Sequence, residues 1–472
     1  MPAEIKHLFV LMMENRSLDH MLGFMKSPNY DIEGIDPANP PYNEDAAENQ
    51  VYASPTARPT GDLAADPNHH FADVTEQLYG VPTPAPGQVP DMSGFVRNYE
   101  QKAGSAALGA NIMKCFDPAA LPVLTTLARQ YAVCDHWFSS IPGPTLPNRL
   151  YVHCGTSRGR LDMAPEFYSG FYTVYEELAS QGVSSCIFWS DWSGTLTFSG
   201  LMAHQNLFYE DFANFDAICR GNPDDVPSYC FIEPRYNPAN VPAGGTLPAT
   251  DQHPDNDVRD GETLIQNVYN AIRSNDDLWH SSALLIIYDE HGGLYDHVPP
   301  VPLPSPDNIS SIDPPFDFKL SGVRVPAVLI SPYVQPGTIC KTVFDHTSVI
   351  ATALKLFTPD TWPSEHLFAR AKSANTFDMI LDLDMAANDA WPVFAAPVRE
   401  GVVPRIQAAA AGAAPLSDLQ HEAVLHARSL NSTLPKHLQV EAPSNVHEAA
   451  GAGSFIQAVG KAAIAAHQAV KQ

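Results

Sequence analysis

Two short apolar runs that each stop at carboxylates constrain this chain more than any other feature. The run 5–13 ends at Glu14-Asn15-Arg16-Ser17, and the run 283–288 ends at Asp289-Glu290-His291-Gly292-Gly293. A third run covers 325–330. Continuous apolar strands of this kind belong to sheets buried on both faces, which are mostly parallel. Helical periodicity is expected over 122–131, 173–181, 261–273 and 347–357, with proline-rich loops over 31–60, 81–90 and 299–315. Strand, long loop and helix in alternation predict an α/β domain with a mostly parallel central sheet and helices on both faces. In such sheets ligands bind outside the carboxyl ends of the strands, so two distant segments deliver their acids to one place. Glu14, Asn15, Asp289 and Glu290 form an oxygen-rich set suited to Mg²⁺, Mn²⁺ or Ca²⁺, and nearby histidine widens the choice to zinc or iron.

Composition narrows the function. The net charge of −26 argues against nucleic acid as a partner. Proline supplies 43 of 472 residues, about 9 % against a usual ~5 %, and sits among aromatics, which indicates long ordered loops. Seven cysteines at 115, 134, 154, 186, 219, 230 and 340 form no Cys-x-x-Cys pair. They predict free thiols in a reducing compartment. With no signal peptide legible at the start, a cytoplasmic protein is expected; non-classical secretion and peripheral membrane association stay open. No run approaches the length of a spanning helix.

The Ala/Gly-rich stretch 408–415 marks a change in charge: residues 415–472 are neutral and 1–414 carry the whole excess. Two units are therefore expected, a catalytic domain over 1–407 and a helical extension over 415–472. In the extension, Ser417-Asp418-Leu419-Gln420 has the capping-box pattern, and Leu419, Ala423, Ala427 and Leu430 recur at helical spacing. Ile456, Val459, Ala463 and Val470 lie on roughly one side of a second apolar segment. Packing on the main domain is the first reading of these helices, and contact with a lipid surface the second.

The segment Ser140-Ile141-Pro142-Gly143-Pro144-Thr145-Leu146-Pro147-Asn148-Arg149 reads as a rigid loop that presents one hydroxyl beside an amide and a guanidinium. Thr145 would need a base or metal to act as a nucleophile, and the planar Arg149 matches phosphate oxygens. His69, His253, His297 and His346 each sit within three positions of a carboxylate, which suits general acid work. Gly155-Thr156-Ser157-Arg158-Gly159 matches a serine-hydrolase elbow after a strand-like stretch 150–154. An elbow must lead straight into a helix, and Pro165 with no apolar period follows instead.

Taken together, Glu14-Asn15-Arg16-Ser17, Asp66-Pro67-Asn68-His69, Pro142 to Arg149, Asp251-Gln252-His253-Pro254 and Tyr288 to Val298 resemble the phosphoesterase family of non-specific and phosphatidylcholine-type phospholipases C. A respiratory-burst-inhibiting acid phosphatase is related to it. The resemblance runs over about residues 4–400. It implies an alkaline-phosphatase-like sandwich and metal-dependent hydrolysis of phosphate esters, with a phospholipid or small phosphoester as substrate. By similarity one divalent metal ion is held by Glu14, Asn15, Thr145, Asp289 and Glu290. Thr145 is the nucleophile, in place of the serine of the acid phosphatase branch. His69 and His253 bind the phosphoryl group, one of them serving as acid, and Asn148, Arg149 and His291 complete the phosphate contacts. The threonine and the Asp-Glu-His-Gly-Gly sequence favour a phospholipase C; the alternative is an acid phosphatase or promiscuous phosphomonoesterase.

Overall fold

The computed structural model describes residues 5–164, 168–198, 200–201, 207–240, 246–395 and 416–470. Its centre is an eight-stranded sheet. In chain order the strands are β1 (His7–Met13), β2 (Ala132–Cys134), β3 (Ser185–Trp189), β4 (Leu207–Asp211), β5 (Tyr229–Ile232), β6 (Ser282–Tyr288), β7 (Ala327–Ile330) and β8 (Thr338–Cys340). Across the sheet they run β8-β2-β7-β6-β1-β5-β3-β4. Every residue of β1 and β6 is buried, as the unbroken apolar runs require, and each large side chain so removed from water stabilises the fold by about 1.5–3 kcal/mol.

Helices pack around the sheet: α1 (Pro122–Gln130), α2 (Thr145–Cys154), α3 (Val174–Ser180), α4 (Val258–Arg273) and α5 (Thr347–Phe357). Their starts follow local chemistry. Pro122 opens α1, where its missing N–H costs nothing. Asp257 caps α4, and Thr173 with Glu176 forms a capping box on α3.

The mostly parallel sheet is as expected, with one exception, and one expected strand is corrected. Strand β7, from the third apolar run, is antiparallel to both its neighbours, β6 and β2, while the other seven strands are mutually parallel. An apolar run reports burial on both faces but not direction. Residues 150–154 are not a strand; they are the last turns of α2, which ends at Gly155 with φ +77°. Aliphatic and aromatic residues at successive positions are equally at home in a helix buried on all sides, as α2 is.

Beyond the linker stretch 408–415, which with residue 407 lies outside the described residues, follow α6 (Asp418–Thr433) and α7 (Ala449–Val470). The capping box at Ser417 and Gln420 is formed. Leu419, Ala423 and Ala427 of α6 and Ile456 and Val459 of α7 join one apolar cluster with Leu146, Met163, Trp192 and Tyr236 of the sheet-bearing body. Ala463 is buried as well; the side chain of Val470 is outside the description. Polar ties reinforce the contact: Gln420 Nε2 donates to Tyr236 O at 2.8 Å, Gln457 Nε2 to Ser190 O at 2.7 Å, and His70 Nε2 lies 2.8 Å from Asp418 Oδ2. Six cysteines are buried, Cys340 is half-buried, and all seven are free thiols. No helix among the described residues is long and apolar enough to cross a membrane.

Candidate active site

Strands β1 and β6 are parallel neighbours with Met13 level with Tyr288, so the chain leaves both at the same height. Glu14 and Asn15 thereby meet Asp289 and Glu290 at the carboxyl edge of the sheet. Asn15 N–H donates to Asp289 Oδ1 at 2.9 Å and Arg16 N–H to Glu290 O at 3.0 Å. The glycines after Glu290 make this approach fit. A Cβ on Gly292, at φ +63°, would stand 2.4 Å from Asn15 O, and one on Gly293, at φ +69°, 2.5 Å from Asn68 O.

Thr145 comes from the opposite direction, as the first residue of α2. The rigid stretch thus ends at Pro144 and turns into a helix, and Pro147 is tolerated because first-turn N–H groups have no intrahelical partner. Asn148 braces the turn. Its Oδ1 accepts from Ile141 N–H at 3.0 Å, and its Nδ2 reaches Gly143 O at 2.8 Å and both Ile141 O and Pro144 O at 3.2 Å. Thr145 Oγ1 donates to Asn15 Oδ1 at 3.1 Å, which ties the hydroxyl to the two strand ends. The helix N-terminus adds a field that favours negative charge there.

Arg149, one turn on, faces back into the sheet. Its Nε donates to Asp289 Oδ2 at 3.0 Å, Nη1 to Glu233 Oε2 at 3.2 Å and Nη2 to Met13 O at 3.3 Å, with Tyr236 stacked on the guanidinium. Both expected phosphate contacts, Asn148 and Arg149, engage protein partners: one holds the turn before Thr145, the other two carboxylates. His291 does likewise, with Nε2 2.8 Å from Gln77 Oε1 and Nδ1 3.3 Å from Glu290 Oε2. Burial pushes its pKa down to about 3.

The site is crowded with buried acid. Burial, with Asp251 and Asp289 nearby, raises Glu14 well above the ordinary carboxylate range. Burial raises Glu290 to about 8 and Asp251 to about 6. Glu14 Oε1 and Glu290 Oε1 are buried without a hydrogen-bond partner. Buried carboxyls in such numbers hold a proton, or stay ionised where a positive charge compensates them. A hard divalent cation meets the requirement, and Glu14, Asn15, Thr145, Asp289 and Glu290 offer it oxygen donors alone. The donor set therefore fits the metal ion that the sequence leads one to expect.

His69 and His253 lie beside this cluster. Nδ1 of His69 is held at 2.8 Å by Pro67 O. His253 Nε2 is 3.5 Å from Asp66 Oδ1 and Nδ1 is 3.7 Å from Asp255 Oδ2. Burial lowers both imidazoles, but the acids outweigh it, chiefly Glu290 and Asp66 for His69 and Asp66 and Asp255 for His253, so both are raised. The other two histidines play different parts. His346 Nε2 meets Asp289 O at 2.6 Å, and His297 pairs with Asp19 in a separate buried ion cluster with Asp296 and Arg324. Ser157 lies past the end of α2 and donates to Arg160 O at 2.9 Å, far from an elbow geometry.

Sequence reasoning passed over four acids. Asp251, Asp66 and Asp255 were all in or next to motifs that drew attention through their histidines. Asp251 is hydrogen-bonded to Glu14, and the other two set the charge state of His253. Glu233, just after β5, holds Arg149; a carboxylate at a strand's carboxyl end was its one available signal.

The model of the Phosphoesterase family matches residues 5–358. The chain is 35 % identical to non-specific phospholipase C3 of Arabidopsis thaliana over 402 residues, covering 80 % of this chain and 74 % of the relative. Against non-specific phospholipase C5 of the same plant the identity is 34 % over 90 % of this chain and 82 % of the relative. Non-hemolytic phospholipase C of Burkholderia pseudomallei is 25 % identical over 74 % of this chain and 54 % of its own length. Among solved structures, a protein in the alkaline phosphatase superfamily from Vibrio parahaemolyticus aligns with a TM-score of 0.34 and 12 % identity, over 56 % of this chain and 66 % of that one. A 2-O GAG sulfatase aligns with a TM-score of 0.36 and 11 % identity, over 57 % and 70 %. The family match runs from just before the first strand through every motif that meets at the sheet edge, and on it the chain belongs to the phosphoesterase family.

Proposed function

We propose that this chain is a phospholipase C-type phosphodiesterase that hydrolyses glycerophospholipids such as phosphatidylcholine to diacylglycerol and a phosphorylated head group, with Thr145 as nucleophile. The observation that carries this reading is the Thr145 hydroxyl, fixed at a helix N-terminus on Asn15 Oδ1 beside the buried carboxyls Glu14 and Glu290, each with one oxygen that has no hydrogen-bond partner. The phospholipase C names of the relatives supply the substrate class. A divalent cation held by Glu14, Asn15, Thr145, Asp289 and Glu290 would lower the pKa of the hydroxyl and draw charge from the phosphoryl oxygens.

The residues of the chain do the rest. Thr145 Oγ1, once its proton has passed to solvent, bonds to phosphorus in line with the departing ester oxygen, and the phosphorus–alcohol bond breaks. An imidazolium gives its proton to that oxygen, so diacylglycerol leaves as a neutral alcohol. His253 is the better placed acid. The groups that raise it, Asp66 and Asp255, stand outside the proposed ligand set, whereas Glu290, which raises His69, belongs to it. His69 then binds the phosphoryl group. Water attacks phosphorus with His253, now neutral, taking its proton; the phosphorus–Oγ1 bond breaks, the phosphorylated head group leaves, and Thr145 and the imidazolium are restored. Arg149, Asn148 and His291 position these groups through Asp289, the 141–144 turn and Glu290.

Release of phosphocholine from phosphatidylcholine, measured beside phosphate from p-nitrophenyl phosphate across pH 5–8, tests the reading. Phosphocholine release that is lost in Thr145→Ala and in chelator, and kept in Ser157→Ala, is the expected result. A Thr145→Ala enzyme as active as its parent on every phosphoester overturns it, and turnover of the monoester alone would make it a phosphomonoesterase. The division into a catalytic domain over 1–407 and an extension over 415–472 is part of this proposal, with α6 and α7 walling the nucleophile's side of the site. A reducing, cytoplasmic setting is supported by the seven unpaired thiols.

A further inference from the structure

A small, half-open polar cleft lies between Pro254, the residue after His253, and the segment 57–63. In a chain of net charge −26 its lining is unusual. Three cations, Arg16, Arg58 and Lys114, border it with one carboxylate, Asp62. Asp62 is shared: its Oδ1 accepts from Arg58 Nε at 2.9 Å and Lys114 Nζ at 3.0 Å. One negative charge therefore serves two cations, Arg58 and Lys114, whereas the third, Arg16, has Asp66, Asp251 and Asp255 near it on its other side.

Two features show that the cleft is built. Arg16 is 3 % exposed and lies over Phe116, with its guanidinium 5.8 Å from the ring. It donates through Nε to Gln252 O at 2.6 Å and through Nη2 to His253 O at 3.3 Å, so the cleft and the proposed acid share one brace. His20, another lining residue, is 4 % exposed and packs edge-on against Phe116. Its Nδ1 is buried with no hydrogen-bond partner. A buried imidazole nitrogen without a partner is costly unless a ligand completes it. Burial and the Arg16 charge hold this ring neutral, so it keeps one N–H to donate and cancels no charge in the cleft.

We infer that this cleft is a head-group subsite for a second anionic group, a carboxylate or phosphate carried on the phosphoryl head group that the catalytic centre binds. The inference rests on the proposed phospholipase C activity for the identity of the ligand as a head group. It reverses, locally, what the overall charge implies: the surface repels anions, while the pocket next to His253 selects a head group that carries one.

The test is calorimetric titration of the full-length chain with phosphocholine, O-phosphoserine and inositol 1,4-bisphosphate, in the parent, in the double variant Arg58→Gln with Lys114→Gln, and in Asp62→Asn. The double variant is expected to weaken O-phosphoserine, inositol bisphosphate or both about tenfold, as the loss of charge-assisted hydrogen bonds requires, with phosphocholine within about twofold. Which of the two weakens tells a carboxylate from a phosphate subsite. Asp62→Asn is expected to move the same ligand the other way, and opposite shifts from neighbouring substitutions separate recognition from unfolding. Equal weakening of all three ligands, no weakening of any, or a loss in Asp62→Asn overturns the inference. Hydrolysis of short-chain phosphatidylcholine and phosphatidylserine by the same proteins reports separately on the phospholipase reading, since binding can be selective in a protein that cleaves neither.

Discussion

Glu290→Gln separates the electrostatic strain of the acid cluster from its chemistry. In the folded protein the Glu290 carboxyl is raised from 4.5 to about 8, with burial as the main cause and Asp289 adding to it. A carboxyl raised on folding binds its proton more tightly in the folded state than in the unfolded chain. The folded protein is therefore favoured below pH 4.5, and stability is lost as pH climbs toward 8, at about 1.4 kcal/mol per pH unit. Between pH 5 and 8 this amounts to about 4 kcal/mol. With an unfolding entropy of roughly 1 kcal/mol/K for a chain of this length, it corresponds to a Tm difference of about 4 °C. Glutamine keeps an oxygen for the Gly292 N–H, which donates to Glu290 Oε2 at 2.7 Å, and carries no charge. In chelator, the Tm of Glu290→Gln should therefore hold up from pH 5 to 8 where the parent's falls. A saturating divalent cation should reverse the order, stabilising the parent by about 3 kcal/mol at a hundred times its Kd and the variant far less. Differential scanning fluorimetry over the pH series, with and without cation, reads both. Parallel Tm profiles in chelator would refute the crowding argument, and equal stabilisation of both proteins by cation would remove Glu290 from the ligand set.

Three further outcomes are expected. Gly292→Ala places a Cβ 2.4 Å from Asn15 O at φ +63°; a cost of about 1–3 kcal/mol in thermal stability and a fall in kcat on any phosphoester are predicted. Arg149→Met leaves Glu233 and Asp289 without their buried partner, with about 3–5 kcal/mol lost in denaturant titration; a variant as stable as the parent but with a raised KM would make Arg149 a substrate contact after all. Gln420→Ala removes the hydrogen bond from α6 to Tyr236 O and the one that Gln420 Oε1 accepts from Ser417 N–H in the capping box, and should lower stability by about 1–2 kcal/mol, with amide exchange rising first in α6.

The sheet edge was legible because its signal is one-dimensional: an apolar strand followed by carboxylates points to a site whether or not its neighbour is known. Glu14 and Asp289 were recoverable for that reason, and His69 and His253 because histidine among acids is uncommon. Thr145 was recognised as a residue but placed in a loop, since three prolines read as loop and only the backbone shows Pro147 sitting harmlessly in a first helical turn. Asn148, Arg149 and His291 carry groups that suit phosphate equally well as backbone carbonyls or carboxylates. Which partner they take depends on the direction α2 enters the sheet edge, and no local pattern encodes that. Asp251 was illegible for a related reason: acids are common in loops, and its importance comes from Glu14, which is remote in sequence and adjacent in space.

The docking of α6 and α7 against Leu146, the neighbour of Thr145, bears on how the protein comes into being. Synthesis proceeds from the first strand, and domains fold as they emerge. The last of the eight strands ends at Cys340, so the sheet can close before α6 and α7 have been made, but the apolar wall beside Thr145 stays bare until Val459 has been made. A phosphoesterase organised this way closes its sheet before it closes the wall beside Thr145, so a chain cut short of α7 leaves Leu146 and Tyr236 with part of their apolar cover missing.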